Sequence, residues 1–267
     1  MSTRDSLGDR MKDYYENRSK TFLLRREPVI IRLDGKAFHT FTKNFARPYD
    51  SVLHECMEYT MRRLCEQIQG CKLGYTQSDE ITLLLTDYDT LTTDAWFDYN
   101  VQKICSVAAS MATLAFNCRL DEIYRSHDFT DDKHIDIGCL SDKLFKATFD
   151  CRCFNVPVSE VTNCFIWRQN DATRNAIQML GQTYFSHSQL NEKSCSDIQE
   201  MLMAEHNINF NDMPTKFKRG CCCKREIVMA TVDDFVIERN GWVIDEEIPI
   251  FTQDRDYIER LLIVDSE

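Results

Sequence analysis

The sequence predicts an α+β fold built on a split βαβ, or ferredoxin-like, sheet with the chain order β-α-β-β-α-β. Three observations carry that prediction. A short apolar run with β-branched residues at 28–34 reads as a buried strand, and 72–76 and 81–86 read as two more. Two longer stretches, from 50 to 70 and from 95 to 116, repeat apolar residues at the spacing of a helix face. A tight polar segment, Gln77-Ser78-Asp79-Glu80, joins the second run directly to the third.

Taken in order, Pro28-Val29-Ile30-Ile31-Arg32-Leu33-Asp34 reads as the first strand. Leu53, Cys56, Met57, Met61, Leu64, Cys65 and Ile68 mark one helix face, with Asp50 or Ser51 placed to cap its start and Gly70 to end it. The strand pair 72–76 and 81–86 follows. Phe97, Val101, Ile104, Ala108, Met111 and Ala115 place a second helix at about 95–116, and 146–156 supplies the next strand. Ser159 reads as the cap of a third long helix reaching Leu180, with Gly181 as its stop, and a further helix is expected over 194–206. Asn240-Gly241 has the composition of a hairpin turn, and a short last helix is expected near 254–262. Antiparallel pairing, with the helices on one face, is the arrangement expected.

Composition sets the broad class. Hydrophobic residues make up 43% and charged residues 28% of 267, which is a globular balance. No run approaches the roughly 20 apolar residues of a membrane helix. Arg4, Asp5, Asp9, Arg10, Lys12, Asp13 and Glu16 leave the first twenty residues without the apolar centre of a secretory signal. A cytoplasmic protein with no membrane partner is therefore expected. Thirteen cysteines, an odd number, fall partly in apolar helix patterns (Cys56, Cys65, Cys105, Cys164), so reduced and largely buried thiols are expected. Cys151-Arg152-Cys153 and Cys221-Cys222-Cys223 lack the paired spacing of a zinc ribbon or finger, so no metal–thiolate site is expected there.

The net charge of −11 is unevenly spread. Residues 1–50 hold 11 bases against 7 acids, and 216–225 hold five bases and no acid. From 226 onward there are 12 acids and 3 bases. Fields decay within about 8–10 Å at physiological salt, so local charge decides whether phosphate binds. Lys216, Lys218, Arg219, Lys224 and Arg225 are accordingly candidates for RNA phosphates, or else for guarding a strand edge.

The placement of acids carries the chemistry. Asp34 ends the first strand just before Gly35, while Asp79 and Glu80 occupy the turn before the third. In a split βαβ sheet the first and third strands are neighbours, so these acids converge at one sheet end. Converging carboxylates call for a cation, and Mg²⁺ favours such hard oxygen ligands. Two ions there would serve an attacking hydroxyl and a departing pyrophosphate. Topology and acids together match polymerase-palm and nucleotide-cyclase chemistry.

Several stretches carry a more specific likeness. Ile31-Arg32-Leu33-Asp34-Gly35-Lys36-Ala37-Phe38-His39 and Asn44-Phe45-Ala46-Arg47-Pro48-Tyr49-Asp50 resemble the N-terminal signature of tRNA-His guanylyltransferases. Gly74-Tyr75-Thr76-Gln77-Ser78-Asp79-Glu80 resembles their second metal-binding motif. The likeness continues through Trp96-Phe97, Lys103, Ala108-Ala109-Ser110 and Trp167-Arg168-Gln169, covering about 6–225. The chain is expected to comprise a palm-like catalytic core over 1–156 and, over 157–267, a helical and β extension packed on that core as one integrated unit, ending in an acidic tail outside the likeness. The likeness implies that Asp34 and Asp79, with the Gly35 carbonyl, hold the Mg²⁺ ions, and that Glu80 beside them is a ligand or an orienter. His39, Arg47, Ser78 and Lys103 fall where the family contacts nucleoside triphosphate or base, Arg47 standing where the family generally has Lys. Asp50 matches a family position as well as a helix cap.

One departure narrows the expectation. After Gln169 the guanylyltransferases proper carry a histidine-led, asparagine-rich motif. Here Thr173 takes the histidine position and only Asn175 clearly matches. The resemblance is then to the guanylyltransferase-like branch, implying template-dependent 3′-to-5′ addition of nucleotides to the 5′ end of tRNA. ATP, GTP and other triphosphates would be substrates, and a homotetramer (a dimer of dimers) the assembly. The alternatives are non-templated guanosine addition to tRNA-His, a palm-type nucleotide cyclase, and a non-catalytic RNA-binding module. The last would expose aromatic rings on its central strands, whereas the third strand reads Ile81-Thr82-Leu83-Leu84-Leu85.

Overall fold

A computed structural model describes residues 6–126, 137–232 and 235–263. Among the described residues, six antiparallel strands form one sheet in the order β4-β1-β3-β2-β5-β6. They are β1 (Val29–Gly35), β2 (Cys71–Gln77), β3 (Glu80–Leu85), β4 (Phe149–Asn155), β5 (Cys221–Val232) and β6 (Phe235–Asp245). The four longest helices are α1 (Ser51–Gln67), α2 (Val101–Ser126), α3 (Val158–Tyr184) and α4 (Cys195–His206). The expected split βαβ core is present: β1 and β3 are central neighbours, with Asp34 paired in register with Glu80. The later chain adds β5 to the free edge of β2, pairing Leu73 with Lys224 through Thr76 with Cys221.

Helices cover both faces of the sheet, not one. The reason lies in β1 and β3, where Val29-Ile30-Ile31 and Leu83-Leu84-Leu85 are buried on alternate faces without a polar side. Val29, Ile31, Leu33, Leu83 and Leu85 pack against Met57, Met61 and Leu64 of α1 and Ile104, Ala108 and Phe116 of α2. On the other face Ile30, Leu73, Tyr75 and Leu84 meet Val161 and Phe165 of α3, with Ile248, Phe251, Tyr257 and Ile258 from the last segment. A third cluster joins the C-terminal half of α3 to Ile198 and Leu202 of α4.

Element ends follow local chemistry, with several corrections. The Asp50 carboxylate caps α1, accepting from the Leu53 amide at 2.8 Å, and Ser194 caps α4 with a reciprocal bond from Asp197. The helix expected from residue 95 begins only at Val101, because Phe97, Asp98 and Tyr99 take positive φ in a preceding turn; it runs on to Ser126. Helix α3 begins after Pro157, so Ser159 lies inside it rather than at its cap. Gly181 does not stop α3 either: it lies within the helix, where a Cβ would come within 2.7 Å of Ile198 Cγ2. That glycine permits a close helix–helix approach. Asn240-Gly241 is not a turn. Asn240 pairs with Ile227 and Gly241 with Glu226 in the middle of an eleven-pair ladder between β5 and β6. A Cβ at Gly241 would meet Val228 Cγ2 at 2.7 Å, so the cross-strand neighbour accounts for the glycine. The last helix is a single turn, Asp256–Glu259.

The twelve cysteines with described surroundings are free, and Cys56, Cys65, Cys71, Cys221, Cys222 and Cys223 are buried. Among the described residues no helix is long and apolar enough to cross a membrane.

Candidate active site

The end of β1 and the β2–β3 turn meet because antiparallel pairing leaves them no alternative. The Gly35 amide donates to the Asp79 carbonyl at 3.0 Å, tying one to the other. Ser78 takes a left-handed φ of 51°, which a two-residue hairpin imposes on its first turn residue, and its hydroxyl donates to the Asp79 carboxylate at 3.1 Å. Asp34 and Asp79 thus stand at the floor of a cleft of about 550 Å³, a size that suits a nucleotide. Its walls come from the segment 37–54, from Ala172, Asn175 and Met179 on α3, and from Lys216 and Phe217.

Both carboxyls are uncomfortable as anions. Burial raises Asp34 above its ordinary value, and Asp150 adds to the shift against the pull of Arg152, Arg32 and Arg168. Burial and then the Asp34 charge push Asp79 up to about 6. A pair of acids held this way is what a divalent cation relieves, and the donors are the hard oxygens that Mg²⁺ prefers. The residues present therefore fit the metal, which Asp34, Asp79 and the Gly35 carbonyl would hold.

Glu80 is placed differently. Its two oxygens accept from Arg168 Nε at 2.7 Å and Nη2 at 2.9 Å, a buried bidentate pair, and Arg32 lies 4.0 Å away. The pair fastens α3 to β3 at the residue next to Asp79 and engages both Glu80 oxygens. Arg168 in turn packs on the exposed Trp167 ring, at 4.4 Å.

His39, Arg47, Ser78 and Asn175 all line the cleft and are exposed to it. Lys103 does not line it; it is exposed on α2 with its ammonium 5.8 Å from the Phe97 ring. The basic segment is split. Lys216, Lys218 and Arg219 form a short helical turn rather than a strand, and Lys216 reaches the cleft while bonding Glu246 at 3.2 Å. Lys218 donates to the Asn211 carbonyl, and Arg219 accepts from the Tyr75 hydroxyl through its own carbonyl. Lys224 is buried between Glu226, Asp245 and the Tyr257 ring, while Arg225 is exposed over Trp242.

Sequence reasoning missed two groups. Asp150 and Arg152 pair in register with Asp34 and Arg32, and their side chains bond at 2.8 Å beside the carboxylate pair. Their alternation with Cys151 and Cys153 was the available signal, since it places the polar residues of β4 on the Asp34 face. Tyr49 and Phe217 stack at 4.5 Å and 6° as part of the cleft wall. They lie 168 positions apart, and no local pattern announces such a contact.

A palm-like sheet with paired carboxylates at one strand end, below a nucleotide-sized cleft, defines a nucleotidyltransferase. The profile of one such family, described as tRNAHis guanylyltransferase (Thg1), matches residues 8–157, more than half of the chain, and the chain belongs to that family. A bacterial tRNA(His) guanylyltransferase (Thg1)-like protein, solved in complex with ATP, is 44% identical and superposes with a TM-score of 0.84, covering 97% of this chain and 100% of that one. Another such structure, in complex with GTP, is 41% identical with a TM-score of 0.77 over 97% and 99% of the two chains. Among curated proteins, a probable tRNA(His) guanylyltransferase of Dictyostelium discoideum is 25% identical over 78% of this chain and 79% of its own.

Proposed function

We propose that this protein adds nucleotides to the 5′ end of tRNA in the 3′-to-5′ direction, copying the opposing strand as a template. The observation that carries the reading is the cleft itself, with Asp34 and Asp79 at its floor and His39, Arg47, Ser78 and Asn175 around it. The strong likeness to proteins solved with ATP and with GTP supports triphosphates as its occupants. Thr173, where the guanylyltransferases proper carry histidine, favours templated repair over addition of a single guanosine.

Arg47 and Lys216 bring positive charge to the cleft for a triphosphate, and Asn175 on α3 offers amide donors and an acceptor. Two Mg²⁺ ions held by Asp34, Asp79 and the Gly35 carbonyl would supply Lewis-acid stabilisation of the hydroxyl and the leaving group. A 5′ monophosphate is first joined to AMP from ATP with release of pyrophosphate. The 3′ hydroxyl of the incoming triphosphate then attacks that 5′ phosphorus: its proton is lost, a new P–O bond forms, and AMP departs. A 5′ triphosphate needs no activation and releases pyrophosphate. Base pairing with the template selects the nucleotide. The homotetramer implied by the resemblance belongs to the same reading and is measured by light scattering.

The test uses tRNA lacking its 5′-terminal nucleotide, labelled at a 5′ monophosphate or triphosphate, with Mg²⁺ and each triphosphate in turn. Extension only by the nucleotide complementary to a varied opposing base is expected. Guanosine addition whatever the opposing base would overturn templating. Cyclic product from triphosphate without any extension would replace the reading with a cyclase.

A further inference from the structure

Behind the cleft wall that His54 lines lies a group of three side chains of metal-ligating type. His54 and Glu58 stand one turn apart on α1, on the same helix face, and Cys221 is the first residue of β5. One ligand atom from each lies within 4.8 Å of the others. The His54 and Glu58 side chains are 11% and 15% exposed, and Cys221 is fully buried. His54 Nε2 lies 2.9 Å from Glu58 Oε1, an ion pair along one helical turn with the nitrogen shielded from solvent. The Cys221 thiol meets the same Glu58 oxygen at 3.5 Å. Three potential ligand atoms thus crowd one point.

We propose that His54, Glu58 and Cys221 bind a zinc-type divalent cation, a site distinct from the Mg²⁺ carboxylates. One nitrogen, one oxygen and one sulfur match the borderline-soft preference of zinc, and a fourth position remains for water. Mg²⁺ disfavours thiolate, so the two sites choose different metals by ligand type alone. Bound metal would hold Cys221 as thiolate.

The site has a mechanical consequence. Phe217 packs on the His54 ring at 5.3 Å and stacks on Tyr49, so a metal joining α1 to β5 clamps the wall of the nucleotide cleft between them. Spacing rules for zinc fingers do not find such a site, because its ligands come from two elements more than 160 residues apart.

The experiment titrates the full metal-free chain with Co²⁺ and with Zn²⁺ in excess Mg²⁺, without nucleotide. A near-ultraviolet thiolate-to-cobalt band saturating at one equivalent is expected, together with a zinc-dependent rise in Tm. Cys221→Ser should abolish the band, and His54→Gln and Glu58→Gln should weaken binding at least tenfold. Each metal-free variant is first checked against metal-free wild type by circular dichroism and Tm. Cys221→Ala serves as second variant if serine at the buried position impairs folding. A band or zinc content unchanged in folded variants would overturn the site, as would the absence of zinc binding by wild type.

Discussion

Asp79 is the residue whose chemistry is most exposed to test. Its folded pKa of about 6 lies above the ordinary 3.8, so between those values the native state binds more protons than the unfolded chain. The stability of the metal-free protein therefore falls as pH rises through that window, and the destabilisation is complete above it. Asp79→Asn should raise the Tm of metal-free protein at pH 7.5 and leave it nearly unchanged near pH 4, where both side chains are neutral. An equal Tm shift at both pH values would assign the effect to packing instead of charge. The same titration sets metal affinity: Mg²⁺ should bind more weakly at pH 5.5 than at pH 7.5, by calorimetry. Nucleotide addition by the variant should fall on the order of 10²–10³-fold, the usual cost of removing a group that stabilises developing charge. Asn175 calls for a different signature. Exposed in the cleft on α3, its truncation to Ala should raise the KM for triphosphate more than it lowers kcat, because the proposed reading gives it a nucleotide contact and no role in the chemical step.

Helix α3 is the element that joins the site to the scaffold, through the buried Arg168–Glu80 pair. Removing one partner leaves an uncompensated charge, so Arg168→Met should cost about 3–5 kcal/mol in urea unfolding. Arg168→Lys should retain part of that stability, since an ammonium cannot reproduce the two parallel bonds. The double variant with Glu80→Gln should recover much of the loss; if it is as unstable as Arg168→Met, the pair is not what fastens α3. This pair also shows what a sequence can disclose. The convergence of Asp34 with the 79–80 turn follows from strand order, which β-branched runs and one tight turn make legible. The partner of Glu80 was not legible, because a bidentate contact across 88 positions leaves no periodic trace. Glycine was the least reliable signal: at Gly181 and Gly241 it serves close contacts between elements rather than a stop or a turn. Covering helices on both faces could have been read from β1 and β3, whose apolar residues run without alternation.

The molecule as a whole carries −11, yet the proposed substrate is a polyanion. Only bases that face solvent can release counterions from RNA, and the structure separates these from bases already committed. Lys224 is buried against Glu226 and Asp245, and Lys216 bonds Glu246, whereas Arg47 and Arg225 are exposed at the cleft and on the β5–β6 ladder. The acids after 226 thus neutralise part of the basic segment, which charge counting along the chain could not reveal. Binding of tRNA should weaken with salt, with log Kd changing by about 0.7–0.9 per phosphate contact for each unit of log salt. Arg47→Gln and Arg225→Gln should each reduce that slope by about one contact, measured by fluorescence anisotropy across a salt series. Lys224→Gln should leave the slope unchanged and lower Tm, because its charge supports Asp245 and the Tyr257 ring inside the protein. A slope that drops for Lys224→Gln and stays constant for both arginines would move the RNA surface from the cleft mouth to the far side of the sheet. The competition between internal acids and RNA phosphate for the same bases, rather than net charge, then determines where a nucleic acid can lie on this protein.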